Sequence, residues 1–151
     1  MNTEELAQKV NARTWFHRID LGNGIITPGA DDSPWKLQHI HMPEDLTGKR
    51  VIDIGAYDGF FSFEAERRGA SHVLATDYFC WTLPRGHIGD GEGFRIAHQA
   101  LGSKVEPRYI RAEDLCRKRW ASPIWYCSWA CCITRPIHCS ICARPVRSAA
   151  T

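Results

Sequence analysis

The residue types best suited to chemistry concentrate in one seven-residue turn. Two acidic residues and two glycines fall between positions 53 and 59, after an apolar run and before a segment with helical periodicity. Asp77 ends the next apolar run, 18 residues after Gly59. Glycines let a backbone approach a ligand closely, and a carboxylate at a strand tip can hold both ribose hydroxyls of a nucleoside. The pattern therefore predicts a nucleoside-binding turn.

The charges of this turn indicate which nucleoside cofactor fits. Its two glycines, separated by three residues, do not form the three-glycine fingerprint of a pyrophosphate site. Asp53 and Asp58 would also place negative charge where a diphosphate has to sit, which argues against NAD and FAD. S-adenosylmethionine carries an amino group and a sulfonium and so tolerates these carboxylates. Its adenine edge would be met by Glu113 or Asp114, after the third predicted strand.

The elements around the turn alternate between strands and helices. Strands are predicted at residues 51–54, 72–77 and 107–111, and the helices between them at residues 60–68 and 94–101. This order predicts an α/β fold: the N-terminal half of a Rossmann-like sheet, with three parallel strands and right-handed crossover helices.

Three regions follow from this assignment. Residues 1–44 form an N-terminal extension with a short helix and a hairpin-like segment, followed by a loop at residues 28–36 that is rich in Pro, Gly and Asp. Residues 45–115 form a partial S-adenosylmethionine-binding domain. Residues 116–151 form an irregular tail.

These motifs resemble class I S-adenosylmethionine-dependent methyltransferases. The segments that carry the resemblance are residues 51–59, 73–77 and 111–114. Within that family, residues 15–29 and 58–64 look like the subgroup related to the tRNA wobble-uridine (5-methoxy and carboxymethoxy) methyltransferases. The resemblance covers residues 13–115.

The resemblance implies a role for each residue of the cofactor site. The glycines of the turn would line the methionine moiety, Asp77 the ribose, and Glu113 or Asp114 the adenine. The family's usual turn has a further glycine where Tyr57 stands. The predicted cofactor-binding set is Asp53, Gly55, Ala56, Tyr57, Gly59, Asp77, Glu113 and Asp114.

The implied reaction is in-line displacement at the sulfonium methyl by a hydroxyl acceptor. The acceptor is tRNA, another RNA or a small molecule, because a fold and a cofactor motif do not fix the substrate. No catalytic base is assigned: Trp15 and His17 either face the acceptor or pack in the core. With 44% hydrophobic and 24% charged residues, no membrane-length apolar run and no signal-peptide pattern, we expect a cytoplasmic protein that enters no membrane.

The tail has a different composition from the rest of the chain. Residues 115–151 hold six of the seven cysteines and six Lys or Arg, but no Asp or Glu. The family continues here with an acidic loop and an apolar fourth strand. Cys and Trp codons both begin with TG, so a reading frame that starts one base earlier turns each of them into a codon for Leu, Met or Val. Read in that frame, the codons of residues 117–134 can encode the family's acidic loop and apolar fourth strand. We hypothesise a frameshift near residues 115–116.

An out-of-frame tail lacks the central fourth strand. We therefore expect the edge of the first strand to be unpaired, and the truncated product to be poorly stable and inactive. The alternative is a small protein that binds zinc or nucleic acid through its Cys- and Arg-rich tail. The cysteine spacing fits no common structural zinc pattern, and six cations alone are weak evidence for nucleic-acid binding, so no metal site is predicted.

Overall fold

The structure, a computed structural model, describes residues 1–82, 90–115 and 125–127. Its centre is a parallel sheet with the strand order β3-β2-β1-β4. The strands are β1 (Arg50–Ile54), β2 (His72–Asp77), β3 (Glu106–Tyr109) and β4 (Trp125–Cys127). The predicted α/β sheet with three parallel strands and helices between them is confirmed.

Strand β4 corrects one expectation. Its three residues pair in parallel with residues 51–53 of β1, so this part of the β1 edge is paired and the tail is not irregular at this point. Pairing in a sheet requires extended backbone, and Trp and Tyr favour that conformation even in a segment of unusual composition. The cysteines at positions 116, 131, 132, 139 and 142 lie outside the described residues.

Six helices are described. Helix α3 follows β1, α5 follows the β2–α4 segment, and α1 precedes the sheet in the chain. Their bounds are α1 (Thr3–Asn11), α2 (Ser33–His39), α3 (Phe60–Arg67), α4 (Phe79–Thr82), α5 (Glu92–Leu101) and α6 (Ala112–Leu115). None of these described helices has the length and apolar character needed to cross a membrane.

Apolar side chains cover both faces of the sheet. On one face, Val51 and Val73 pack in the main core with residues of α1, α3 and α5. On the other, Ile52 and Leu74 form a second cluster with Ile54. A strand buried on both faces reads as a continuous apolar run, which explains why β1 is recognisable in the sequence.

The N-terminal extension is attached to the core through Trp15. This side chain is 2% exposed, and its Nε1 donates a hydrogen bond to the Val10 carbonyl at 3.0 Å. The chain then forms a short hairpin, in which Asp20 bridges antiparallel to Ile26. Trp15 therefore packs in the core, whereas the ring of its neighbour Phe16 is 40% exposed. The three-region division of the chain stays a prediction.

Candidate cofactor site

The turn between β1 and α3 lies against the carboxyl end of β2. The amides of Gly55 and Ala56 donate hydrogen bonds to the Thr76 carbonyl at 2.7 and 3.0 Å. The next amide, that of Tyr57, donates to Asp77 Oδ2 at 3.0 Å. The structure thus brings together the turn and the strand-tip carboxylate, two features that are 20 residues apart in the chain.

Left-handed backbone shapes the turn. Gly55 and Gly59 have φ of 80° and 92°, values that glycine adopts without strain. A Cβ on Gly59 would lie 2.7 Å from both the Phe63 and Phe94 rings, so this position has no room for a side chain. Tyr57 also has a positive φ, 51°, which is strained for a bulky residue. The structure therefore gives Gly59 a packing role in addition to the ligand contact predicted for it.

Asp53 is a buried carboxyl beneath the turn. It is 3% exposed and accepts a hydrogen bond from Ser62 Oγ at 2.6 Å. Burial raises its pKa to about 7; the hydrogen bond from Ser62 acts in the opposite direction, and the nearby Asp77 charge raises the pKa further. Because Asp53 is almost fully shielded from solvent, its carboxyl has no exposed surface with which to contact a ligand directly.

Asp58 connects the N-terminal extension to the turn. Its Oδ2 accepts hydrogen bonds from the amides of Phe16 and His17 at 2.7 and 3.1 Å. Burial raises the pKa of Asp58 to about 6, although the two amides and the Arg13 charge lower it. The sequence indicated the charge of Asp58 but not this structural link, because the partners lie more than 40 positions away.

Asp77 has several backbone partners. Besides the Tyr57 amide, the Cys80 amide donates to its Oδ1 at 2.9 Å, as expected of a carboxylate that caps a strand end. Burial raises the pKa of Asp77, and these amides act against that shift. The Tyr78 amide and the Cys80 side chain also hydrogen-bond to this carboxylate and lower its pKa.

The end of β3 approaches the tip of β2 through a pair of residues that sequence reasoning missed. The Arg111 guanidinium lies over the Tyr78 ring, 4.4 Å from its centroid. Tyr78 directly follows Asp77, and Arg111 directly precedes α6, which contains Glu113 and Asp114. The sequence feature that could have indicated this pair is Tyr78, an aromatic residue directly after Asp77 at the end of β2. The adenine-binding role of Glu113 or Asp114 stays a prediction.

Within the part of the chain that the structure describes, no group of three or more His, Cys, Asp or Glu residues is arranged to hold a metal ion. The cysteines on which the zinc alternative depends are mainly in the undescribed part of the tail.

Comparison with known proteins adds an independent line of evidence. No family model matches the chain. The chain is 30% identical over 89 residues to a tRNA U34 carboxymethyltransferase of Chromohalobacter salexigens, and this match covers 54% of this chain and 26% of that protein. The chain is also 33% identical over 87 residues to a ubiquinone biosynthesis O-methyltransferase of Neisseria meningitidis, and this match covers 56% of this chain and 33% of that protein.

The resemblance to class I S-adenosylmethionine-dependent methyltransferases is confirmed. A third relative, the tRNA U34 carboxymethyltransferase of Ectopseudomonas mendocina, is 38% identical over 45 residues, 30% of this chain and 14% of that protein. The matches span about a quarter to a third of the length of the first two relatives.

The electrostatics of the turn are consistent with this family's cofactor. Three buried carboxylates meet at one end of the sheet, and the charge of Asp77 raises the pKa of both Asp53 and Asp58. The arrangement favours a ligand that brings positive charge and disfavours one that brings a diphosphate.

Proposed function

We propose that this protein binds S-adenosylmethionine at the β1–α3 turn and transfers its methyl group to a hydroxyl acceptor. The observation that carries the proposal is the convergence of the buried carboxyls of Asp53, Asp58 and Asp77 around the β1–α3 turn. The sulfonium and ammonium of the cofactor supply the opposite charge, and Asp77 accepts hydrogen bonds from the ribose hydroxyls. The amides of Gly55 and Ala56 hold the turn against β2, and the methionine moiety would lie along this turn.

The acceptor is either an RNA or a small molecule. The relatives named for tRNA U34 support tRNA as the acceptor, and those named for ubiquinone biosynthesis support a small molecule. Methylation assays of bulk tRNA and of small phenols with labelled cofactor would distinguish the two.

Calorimetric titration tests the cofactor part of the proposal. We expect S-adenosylmethionine to bind the full chain with a stoichiometry of one, and NAD not to bind. Asp77→Asn should weaken binding at least tenfold, because a hydrogen bond to a charged group contributes about 1.5–3 kcal/mol. Asp32→Asn is the matched control: Asp32 is exposed at the N-terminus of α2, and asparagine caps a helix equally well.

Thermal unfolding of each variant separates a binding defect from a folding defect. The asparagine amide of the Asp77 variant points a donor at a backbone amide that donates to the carboxylate of the unchanged protein, so some loss of stability is expected. The titration of the unchanged protein does not depend on that variant. If S-adenosylmethionine does not bind it, or NAD binds equally well, the proposal is wrong.

A further inference from the structure

A small cavity lies on the β3 side of the sheet, between α4, α5 and β3. Its volume is about 150 Å³. Helix α5 lines it with Phe94, Arg95 and His98, and two alternate residues of β3, Pro107 and Tyr109, face it from the sheet. Its described lining shares no residue with the predicted cofactor-binding set. The cavity is therefore separate from the β1–α3 turn.

The inner walls of this cavity are fixed by contacts on their other sides. Trp81 of α4 is 5% exposed, and its Nε1 donates a hydrogen bond to the Tyr57 carbonyl at 2.7 Å. Its ring centroid lies 4.8 Å from that of Phe94. The His98 imidazole is held by a hydrogen bond from its Nε2 to the Val105 carbonyl at 2.9 Å. Walls that are already in place lower the entropic cost of binding a ligand.

The size and the walls of the cavity determine what the body of a ligand can be. An apolar cavity of about 150 Å³ holds a benzene-sized ring. Three aromatic side chains line this one, and the rings of Trp81 and Tyr109 are 5.4 Å apart at an angle of 67°. Tyr109 is 54% exposed, so the cavity opens to solvent beside it. Gly91 leaves room at the other end, because a Cβ there would lie 3.3 Å from the Trp81 ring. One aromatic ring therefore fits the cavity.

The charge of the cavity determines which substituent that ring carries. Among the described residues that line it, Arg95 has a permanent positive charge and none has a carboxylate. Glu92, outside the cavity, accepts from Arg95 Nε at 2.7 Å and lies 2.6 Å from Nη2. The third nitrogen, Nη1, is 3.4 Å from Tyr109 Oη, beyond the usual range of about 2.7–3.2 Å for this kind of hydrogen bond. Both groups can donate, so a carboxylate at the mouth of the cavity accepts a hydrogen bond from each.

We propose that this cavity is a second binding site, which takes a small aromatic carboxylate. The ring packs against Trp81, Phe94 and Tyr109, and the carboxylate accepts hydrogen bonds from Arg95 Nη1 and Tyr109 Oη. The ligand is bound without any covalent step. The site is additional to the cofactor turn and does not depend on the proposed function, because its walls belong to α4, α5 and β3.

Titration of three small probes into the full chain, followed by NMR, tests the site. Benzoate should bind saturably at one site and shift the signals of the Trp81 indole N–H and of the Gly91 and Tyr109 amides. Acetate lacks the ring and benzylamine reverses the charge, so we expect each to bind at least about tenfold more weakly. Equal binding of acetate or of benzylamine would overturn the assigned class of ligand.

Two variants and a matched control locate the carboxylate. Arg95→Met keeps an unbranched stem and removes the charge, and should weaken benzoate binding about tenfold, the loss expected for a hydrogen bond to a charged group. Tyr109→Phe keeps the ring and removes the hydroxyl, and should weaken it about fivefold. Arg108→Met is the control: Arg108 also pairs with a carboxylate, that of Glu106, but faces the opposite side of β3 from Tyr109. It should change the affinity less than about twofold.

These measurements also distinguish a binding site from a gap in the packing. If benzoate does not bind the unchanged protein, the cavity is a packing gap and the inference is wrong. If Arg95→Met binds benzoate as tightly as the unchanged protein, or if Arg108→Met weakens binding equally, the carboxylate does not lie where we place it and the inference is wrong as well. Tyr109 and both arginines are exposed enough for these variants to fold, and thermal unfolding of each checks this.

Competition with the cofactor product separates this site from the β1–α3 turn. Benzoate should bind equally well with and without S-adenosylhomocysteine. Displacement of benzoate by S-adenosylhomocysteine would place both ligands in the turn and contradict the inference, while the proposed function would stand. If S-adenosylmethionine does not bind but benzoate does, the proposed function is wrong and the second site stands.

Discussion

Replacing Asp53 with asparagine should stabilise the protein at pH 8 but not at pH 4. The carboxyl is 3% exposed, and burial raises its pKa from 3.8 to about 7. Because the pKa is raised on folding, the folded state binds the proton more tightly than the unfolded chain. The contribution of the Asp53 carboxyl to the free energy of unfolding is fully present below pH 3.8 and is lost as the pH rises to about 7. Asparagine stays neutral throughout and still accepts the Ser62 hydrogen bond.

The size of the effect follows from the pKa shift. A difference of about three pKa units at about 1.36 kcal/mol each gives an upper limit on the order of 4 kcal/mol at pH 8. For a chain of this length, about 1 kcal/mol moves the unfolding midpoint by about 2–4 °C. The variant should therefore unfold up to about 16 °C above the unchanged protein at pH 8.

Thermal unfolding followed by circular dichroism from pH 4 to 8.5 measures this difference. Other titrating groups, His17 and Asp58 included, are present in both proteins, so subtraction largely removes their contributions. Asp32→Asn controls for removal of an exposed negative charge. A stability difference that stays constant between pH 4 and 8, or a variant less stable at pH 8, would refute the reasoning.

Four further results are expected. Tyr57→Gly should be about 1 kcal/mol more stable than Tyr57→Ala in urea unfolding, because φ is 51°; the reverse order would contradict the strain. Gly59→Ala should destabilise by about 2–3 kcal/mol through ring clashes, well beyond Gly102→Ala, whose added Cβ meets open space; equal losses would be inconsistent with the packing. Cofactor binding should weaken as the pH falls from 8 to 5, because two carboxyls of the turn, with pKa of about 6 and about 7, become protonated; a flat profile by calorimetry argues against the role of these charges. A chain in which residues 117–134 are replaced by the translation of the alternative reading frame should unfold at a higher temperature than the present chain. If the DNA sequence of codons 112–134 cannot encode the family's segment in that frame, the frameshift hypothesis is wrong.

The sequence predicts the strands next to the site well because they are buried. Residues 51–54 and 72–77 are apolar runs, and the observed β1 and β2 match them within one residue at each end. The third strand was expected at residues 107–111, whereas β3 is Glu106–Tyr109. Its side chains are mostly exposed, so apolar periodicity gives a weaker signal there.

Helices α4 and α6 were not predicted from the sequence, and two further elements, α2 and β4, were missed for different physical reasons. Residues 28–36 were expected to form a loop, but α2 begins at Ser33, where Asp32 caps the helix and a proline occupies its first turn. These helix-start signals are present in the sequence, but the surrounding Pro and Gly residues indicate a loop more strongly. Strand β4 forms by pairing with β1, a long-range contact that local composition does not encode.

Side-chain partners within the site were the least predictable part. Trp15 and Phe16 are adjacent aromatic residues, and only docking of the extension decides that the first is buried and the second exposed. The link from Asp58 to the extension likewise spans residues distant in the chain. The sequence therefore predicts which residues surround the turn better than it predicts what each one contacts.

A crystal structure of the protein with S-adenosylmethionine bound tests the proposed cofactor site most directly. We expect the adenosyl group at the β1–α3 turn, with its ribose hydroxyls about 2.5–3.0 Å from the Asp77 carboxylate oxygens. A cofactor bound elsewhere, with Asp77 contacting only groups of the protein itself, would contradict the assignment.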